Sequence, residues 1–446
     1  MKKLILSVLL IPAVFSAQQT VSRDAEIANY VSQVSADSLK SHINKLVSFG
    51  TRHTMSSTTD AKKGIGAARN WVLSKFKNYA KNSDGRMEVF LQSQTIQPDG
   101  KRINQPTDLG NAIAILRGTD PNDKRIFMIG GHLDSRVSDV MNAKDFAPGA
   151  NDDGSGVGAV IESARILSQS KFPATIVFVA FSGEEQGLLG AKMLAEKAKT
   201  ENWQLEALLN NDMIGNNLSS ETNLINANQL RVFSEGLPQF DLDKKAQGIR
   251  NLGLENDGEA RQLARYIKEI GERYVDNLEV KLIYRNDRFL RGGDHTSFVN
   301  QGFSAVRLTE FNENYDHQHQ DIRKENGKQF GDLPEFMDFE YFKKNVGVNV
   351  SVLANLAKSP SKPENVKMDV KELTNFTTIH WEKPKNGEVV GYYVLMRETD
   401  SSIWQKKFFT KENSMKLPYS KDNYFFAVQA VNSSGNESLI VIPSVK

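Results

Sequence analysis

The sequence predicts an α/β layer fold with a largely parallel sheet, followed by a small all-β sandwich. Three observations predict it. Short continuous apolar runs at 111–116, 125–129 and 175–181 read as strands covered on both faces. Amphipathic stripes at helical spacing alternate with those runs, as in Val157, Val160, Ile161, Ala164 and Leu167. Beyond a linker at 359–363, Ser-Pro-Ser-Lys-Pro, the pattern turns to short β-rich runs separated by turn residues.

Taken in order, residues 1–17 read as a signal peptide. Lys2 and Lys3 precede an apolar run from Leu4 to Phe15, and Val14, Ser16 and Ala17 offer small residues for cleavage, so the mature chain is expected to start near Ala17 or Gln18. That makes the protein an exported one, periplasmic or extracellular. The run is too short to span a bilayer, and no later segment is long and apolar enough. Helices are expected at 35–48, capped by Ser35 or Asp37, and at 61–76, where Ile65, Ala68, Trp71, Val72 and Phe76 share a face. Leu205 to Met213 reads as another strand. Residues 216–257, rich in Asn, Gln, Gly and charge, read as an irregular surface insertion before a helix at 259–276. The expected domains are therefore 18–358 and 364–446.

A chain of 446 residues exceeds one ordinary domain, and 39% hydrophobic residues supply a full core. Lys and Arg number 56 against 54 Asp and Glu, and removing Lys2 and Lys3 brings the two to parity. There is no basic run and no interleaving of aromatics with Lys and Arg, so no nucleic-acid partner is expected. The absence of cysteine excludes a lipoprotein anchor, disulfides and thiol catalysis. No Gly-x-Ser-x-Gly elbow supports a serine hydrolase.

Chemistry concentrates in a few short segments. His132-Leu133-Asp134 follows a strand, with two glycines before it; it reads either as a metal ligand with an orienting carboxylate or as a solvated loop. Asn151-Asp152-Asp153-Gly154 reads either as a turn and helix cap or as a bridging carboxylate, Asp152, beside a cap. Glu184-Glu185 directly follows a fully apolar strand, so one carboxylate could bind metal while its neighbour holds a water proton. Asp212 ends another apolar segment. Asp316-His317-Gln318-His319-Gln320-Asp321 is dense in His, and Asp294-His295 reads as a helix start capped by Asp294. Carboxylates and imidazoles without Cys suit an open catalytic zinc site.

As a set, these motifs resemble the di-zinc aminopeptidase family of bacterial leucyl aminopeptidase type, which it shares with the glutamate carboxypeptidase branch. The resemblance covers roughly residues 35–357. It rests on His132-x-Asp134-Ser135, Gly149 to Gly156, Gly183-Glu184-Glu185-x-Gly187, Asp212-Met213, Asp294-His295 and His317-x-x-x-Asp321. It implies a three-layer αβα sandwich with a mixed, mostly parallel sheet of zinc-exopeptidase type. It also implies two Zn2+ ions bridged by Asp152, one held by Glu185 and His317, the other by His132 and Asp212. Glu184 would be the general base and Asp134 the residue orienting His132. His317 is preferred to His319 because its spacing to Asp321 matches the family. A cis peptide is expected between Asp152 and Asp153. Some relatives place an oxyanion-stabilising Tyr four residues before the Asp-His pair; that position is Leu290 here, so the donor is unassigned. The C-terminal segment resembles a fibronectin type III domain through Trp381, Tyr392, Arg397 and Tyr424, with Trp381 and Tyr424 expected in its core.

The expected function is that of a secreted zinc aminopeptidase acting on peptides. Within the fold the alternatives are a glutaminyl cyclase, which uses one zinc, and a carboxypeptidase or dipeptidase, for which Arg285, Arg288 and Arg291 could meet a carboxylate. From another class, a non-catalytic binding or adhesion protein would keep the sandwich and lose the chemistry.

Overall fold

The structure is a computed structural model and describes residues 23–237 and 242–445; the expected signal peptide lies outside them. Eight strands form one sheet: β1 (Met87–Ile96), β2 (Thr107–Leu116), β3 (Arg125–His132), β4 (Thr175–Phe181), β5 (Gln204–Asn211), β6 (Gln229–Ser234), β7 (Glu279–Ile283) and β8 (Ala305–Glu310). Their order is β1-β2-β4-β3-β5-β8-β6-β7. The pairs β3/β4, β3/β5, β5/β8 and β6/β7 are parallel, whereas β1/β2, β2/β4 and β6/β8 are antiparallel. The sheet is mixed, with a parallel centre.

Around it lie α1 (Ala25–Ser32), α2 (Ala36–Val47), α3 (Gly64–Ala80), α4 (Gly154–Leu167), α5 (Leu189–Thr200), α6 (Leu242–Leu252), α7 (Glu259–Tyr274), α8 (Asp294–Asn300) and α9 (Phe339–Lys358). Period-2 alternation along the strands divides the core in two. Phe127, Ile129, Ile176 and Phe178 face α1–α4, α7 and α9, while Met128, Val177, Val179 and Phe181 face α5 and α8. Helices on both faces make a three-layer αβα sandwich.

One expectation for this region fails. Residues 216–257 are not wholly an irregular insertion, since they contain β6, an internal strand between β8 and β7. Leu230 and Val232 are fully buried there and alternate with Gln229 and Arg231. That short period-2 signal is masked by the polar residues around it.

Register explains where the chemistry must sit. His132 pairs with Phe181, and Gly130 pairs with Asn210. The parallel strands β3, β4 and β5 therefore end side by side, delivering His132, Glu184-Glu185 and Asp212 to one edge. The end of β5 is fixed from the helix layer. Asn211 and Asn349 of α9 exchange amide hydrogen bonds at 3.0 and 2.7 Å.

After β8, β9 (Arg323–Glu325) and β10 (Lys328–Phe330) form a small hairpin. Past α9 the chain builds a sandwich from β11 (Glu364–Met368), β12 (Thr377–Glu382), β13 (Gly391–Glu398), β14 (Lys406–Thr410), β15 (Ser414–Leu417), β16 (Tyr424–Val431) and β17 (Ser444–Val445), in sheets β15-β12-β11-β17 and β14-β13-β16. Trp381 is buried edge-on against Tyr392 with ring centroids 5.3 Å apart.

The sandwich is docked through buried charge. Glu437, fully buried, receives both terminal nitrogens of Arg273 of α7 at 2.7 and 2.8 Å. Asp257 takes Arg265 from the same layer and Arg397 from the sandwich, each at 2.6 Å. Asn436 donates to both Asp24 and Asn355. The Pro-rich linker is itself clamped, its Ser359 and Pro360 carbonyls taken by Arg125. Replacing Glu437 with Ala leaves Arg273 buried without its bidentate partner. The expected loss is about 3–5 kcal/mol of stability, read as a lowered denaturation midpoint of the full-length chain.

Candidate active site

Two glycines let the strand ends and the first turn of α4 approach closely. A Cβ on Gly131 would fall 2.5 Å from the Gly156 carbonyl carbon, and one on Gly156 would fall 2.2 Å from an Asp153 carboxylate oxygen. Into this contact Asp153 inserts its carboxylate. It accepts from the backbone N–H of His132 (2.8 Å), Gly156 (2.8 Å) and Met213 (3.2 Å). Asp153 is thus the α4 cap and a tie between β3 and β5. The Asp152–Asp153 peptide is cis.

Asp152, next to it, is presented by its own backbone. Asp332 accepts from the N–H groups of Asn151 (2.9 Å) and Asp152 (2.7 Å). The Asp152 carboxylate then stands between two sets of ligand-type atoms. One set is His132, Asp152 and Asp212; the other is Asp152, Glu185 and His319. His132 Nε2 lies 3.2 Å from Asp152 Oδ1 and 3.9 Å from Asp212 Oδ1. His319 Nε2 lies 2.9 Å from Asp152 Oδ2 and 2.8 Å from Glu185 Oε1.

His317 is not in the cluster, which corrects the sequence-based preference. Its ring stacks on Phe336, with centroids 3.8 Å apart and planes 10° from parallel. Burial there pushes it down to about 4. Its loop turns through Asn314–Gln318, and His319 takes a left-handed backbone (φ +55°). Asp321, whose spacing favoured His317, instead accepts from the Ser138 N–H near the surface. His-x-His spacing could not separate the two rings, because the stacking partner lies outside the motif.

The donors fit a divalent metal. Each set holds one imidazole and two carboxylates, and His132, Asp152, Glu185 and Asp212 are all buried. Glu185 Oε1 is buried without a hydrogen bond, although it lies 2.8 Å from His319 Nε2. That is the arrangement of two ligands aimed at a common ion. Burial pulls His319 down, but Glu185 and Asp152 outweigh it and raise it to about 10.

The comparisons with known proteins bear on this geometry. Residues 111–333, from within β2 to Leu333, match the model of peptidase family M28, and residues 361–443 match the fibronectin type III domain. A probable zinc metalloprotease of Leptosphaeria maculans is 42% identical, the match covering 94% of this chain and 97% of that one. Another from Pyrenophora teres is 41% identical over 94% of this chain and 87% of its own.

The chain belongs to peptidase family M28.

Its fold is shared with LapA aminopeptidase of Legionella pneumophila (TM-score 0.54, 19% identity, 80% of each chain) and with LapB of the same organism (TM-score 0.53, 17% identity, 76% of each chain).

In this M28 peptidase Asp134 acts differently from the sequence expectation. Its carboxylate is 3.9 Å from His132 Nδ1, and the ring nitrogen meets the Asp134 backbone carbonyl at 3.1 Å. A proton on Nδ1 directed at that carbonyl leaves Nε2 as the ligand atom. The carboxylate instead accepts from the N–H groups of Gly183 (2.8 Å), Glu184 (3.2 Å) and Glu185 (3.0 Å), with Thr54 Oγ1 at 3.2 Å. It shapes the turn that carries both glutamates. Glu185 points to His319. The half-buried Glu184 side chain has no hydrogen bond among the described residues, and burial, with Glu185, Asp212 and Asp294 nearby, pushes it well above the ordinary carboxylate range despite His132.

Asp294 does not cap α8; Gly293 occupies that position, and the Asp294 carboxylate is buried without hydrogen-bond partners. Leu290, four residues before Asp294, is fully exposed and offers no oxyanion donor. The sequence reading missed Arg52, Asp332 and Arg307. Arg52 is buried and donates to the carbonyls of Leu133 (2.8 Å), Pro148 (2.6 Å) and Gly149 (2.8 Å), bracing the loop before Asp152. None of the three stands in a motif that would have marked it.

Two outcomes follow, both measurable on purified protein. His319→Ala removes a metal equivalent by elemental analysis, whereas His317→Ala leaves metal content unchanged. Asp134→Asn cannot accept all three turn N–H bonds and lowers peptide hydrolysis about 10–100-fold.

Proposed function

We propose that the chain is an exported, zinc-dependent aminopeptidase that holds two zinc ions and removes N-terminal residues from peptides. The observation that carries this reading is the pair of ligand sets sharing Asp152, with the Glu184 carboxylate left uncommitted beside them. The zinc metalloprotease names of its 42% and 41% identical relatives support the metal. His132 and Asp212, completing the second set, favour two ions over the one-zinc glutaminyl cyclase alternative. A non-catalytic role is disfavoured because the site keeps both complete ligand sets and the free carboxylate. The expected leader at 1–17 supports export to the periplasm or beyond, and among the described residues no helix is long and apolar enough to cross a membrane.

Zinc, when bound, supplies Lewis-acid polarisation of a carbonyl and eases deprotonation of water. The protein's own contribution is proton handling and placement. Glu184 takes the proton from the attacking water on its carboxylate and returns it to the departing amine. Burial beside Glu185, Asp212 and Asp294 raises its proton affinity, the direction a carboxylate that must take up a proton needs. Asp134 holds Glu184 in reach of the cluster, and Asp153 keeps the strand ends from drifting apart.

Glu184→Gln should keep its metal content and lose about 10²–10⁴-fold in kcat on aminoacyl-anilides. A full rate in this variant removes Glu184 from the reaction. Cleavage of N-blocked peptides at the same rate as free ones excludes the aminopeptidase assignment. Mass analysis of the exported protein should find its first residue near Ala17 or Gln18.

A further inference from the structure

The two ligand sets are chemically matched, since each has one imidazole, one carboxylate of its own and the shared Asp152. They differ in exposure, His319 being partly open to solvent where His132 is buried, and in what stands behind the ligands. Behind Glu185 is Arg136, whose nearest nitrogen is 4.0 Å from Glu185 Oε2 and whose side chain reaches solvent. Its guanidinium is turned to its own loop, donating to the carbonyls of Val137 and Ser138.

Behind Asp212 the surroundings are different. Arg307 of β8 is fully buried, and its Nη2 lies 3.2 Å from Asp212 Oδ1, an ion pair without hydrogen-bond geometry. Its Nη1 is fixed by both oxygens of Asp287 at 3.2 Å. From there a chain of alternating charge runs outward. Asp287 also takes Arg288 at 3.2 Å; Arg288 meets Glu313 at 2.9 Å; and Glu313 meets Arg231 at 2.8 Å. Three guanidiniums face two carboxylates in that chain before Asp212 is counted. The other groups on this side are His295, whose Nε2 is 4.0 Å from Asp287, Asp294, buried without a hydrogen-bond partner, and Glu184, whose charge reaches Arg307.

We propose that Arg307 makes the position framed by His132, Asp152 and Asp212 the weaker and more exchangeable of the two metal positions. The proposal rests on the two-metal reading above. A guanidinium on a ligand carboxylate withdraws the electron density that the oxygen would donate to a metal, and a buried positive charge opposes a second one nearby. Arg136 exerts the same effect on Glu185 only from a longer distance and through solvent. Arg307 is thus a positioning residue that acts on Asp212 through its charge at 3.2 Å and sets how firmly the ion beside it is kept.

The test is zinc titration of metal-free, full-length protein, read by calorimetry and by elemental analysis after dialysis. Wild type should bind two equivalents in steps that differ by at least about tenfold. Arg307→Gln should tighten the second step and close most of that gap, while Arg307→Lys should preserve it. Two equal steps in wild type, or an unchanged gap in a folded Arg307→Gln, overturns the proposal and leaves the two-metal reading intact. Should Arg307→Gln not fold, His319→Ala and His132→Ala each leave one set with Arg307 in place. The set left in His319→Ala should hold zinc at least about tenfold more weakly than the set left in His132→Ala, and equal or reversed affinities overturn the proposal. A wild type that takes up a single zinc at every concentration removes the two-metal reading, and the proposal with it.

Discussion

The site depends on one buried carboxylate that is not itself among the ligand-type atoms. Asp153 receives backbone N–H groups from the end of β3, the first turn of α4 and the segment after β5. Those three segments carry His132, Asp152 and Asp212. A parallel sheet brings strand ends near one another, but only to within the tolerance of loops. Charge-assisted bonds from one side chain reduce that tolerance to the scale of a coordination sphere. The glycines at 131 and 156 are the steric counterpart of the same constraint.

Adjacent residues of one turn acquire different properties from this framework. Glu184 and Glu185 share a backbone fixed by Asp134, but their side chains meet different neighbours. Glu185 faces His319, an interaction that holds it below the usual carboxylate range against the cost of burial. Glu184 has no such direct partner and is shifted the other way. The proposed separation of ligand from base is therefore a matter of environment, not of residue type. Arg52 and Asp332 do comparable work on the opposite side, bracing the loop that presents Asp152.

Much of this was legible before any coordinates. Strands β2, β3 and β4 announce themselves as apolar runs, and the carboxyl ends of β3 and β4 carry His132 and Glu184-Glu185. Asp152 and Asp212 were readable only as a set with these, since each alone is an ordinary turn residue. What stayed hidden depends on distant contacts. His317 and His319 are equivalent in the sequence, and only the Phe336 stack distinguishes them. Strand β6 is short and embedded in polar sequence, so its membership of the sheet is decided by Leu230 and Val232 finding the core. Arg307 reads as a charged residue in an apolar strand; its meaning comes from Asp287, twenty residues earlier, and from Asp212.

The β-sandwich adds no ligand to the site, yet it is not a loosely attached module. Glu437 and Asp257 engage guanidiniums across the junction, and Leu439 joins the hydrophobic core of the larger domain. The account as a whole stands on where cations bind relative to Asp152. Anomalous diffraction at the zinc edge from crystals of the full-length protein measures this directly. The predicted result is two peaks about 3.5–4 Å apart, flanking Asp152, one beside His132 and Asp212 and the other beside Glu185 and His319. A single peak, or a peak coordinated by His317, would contradict it.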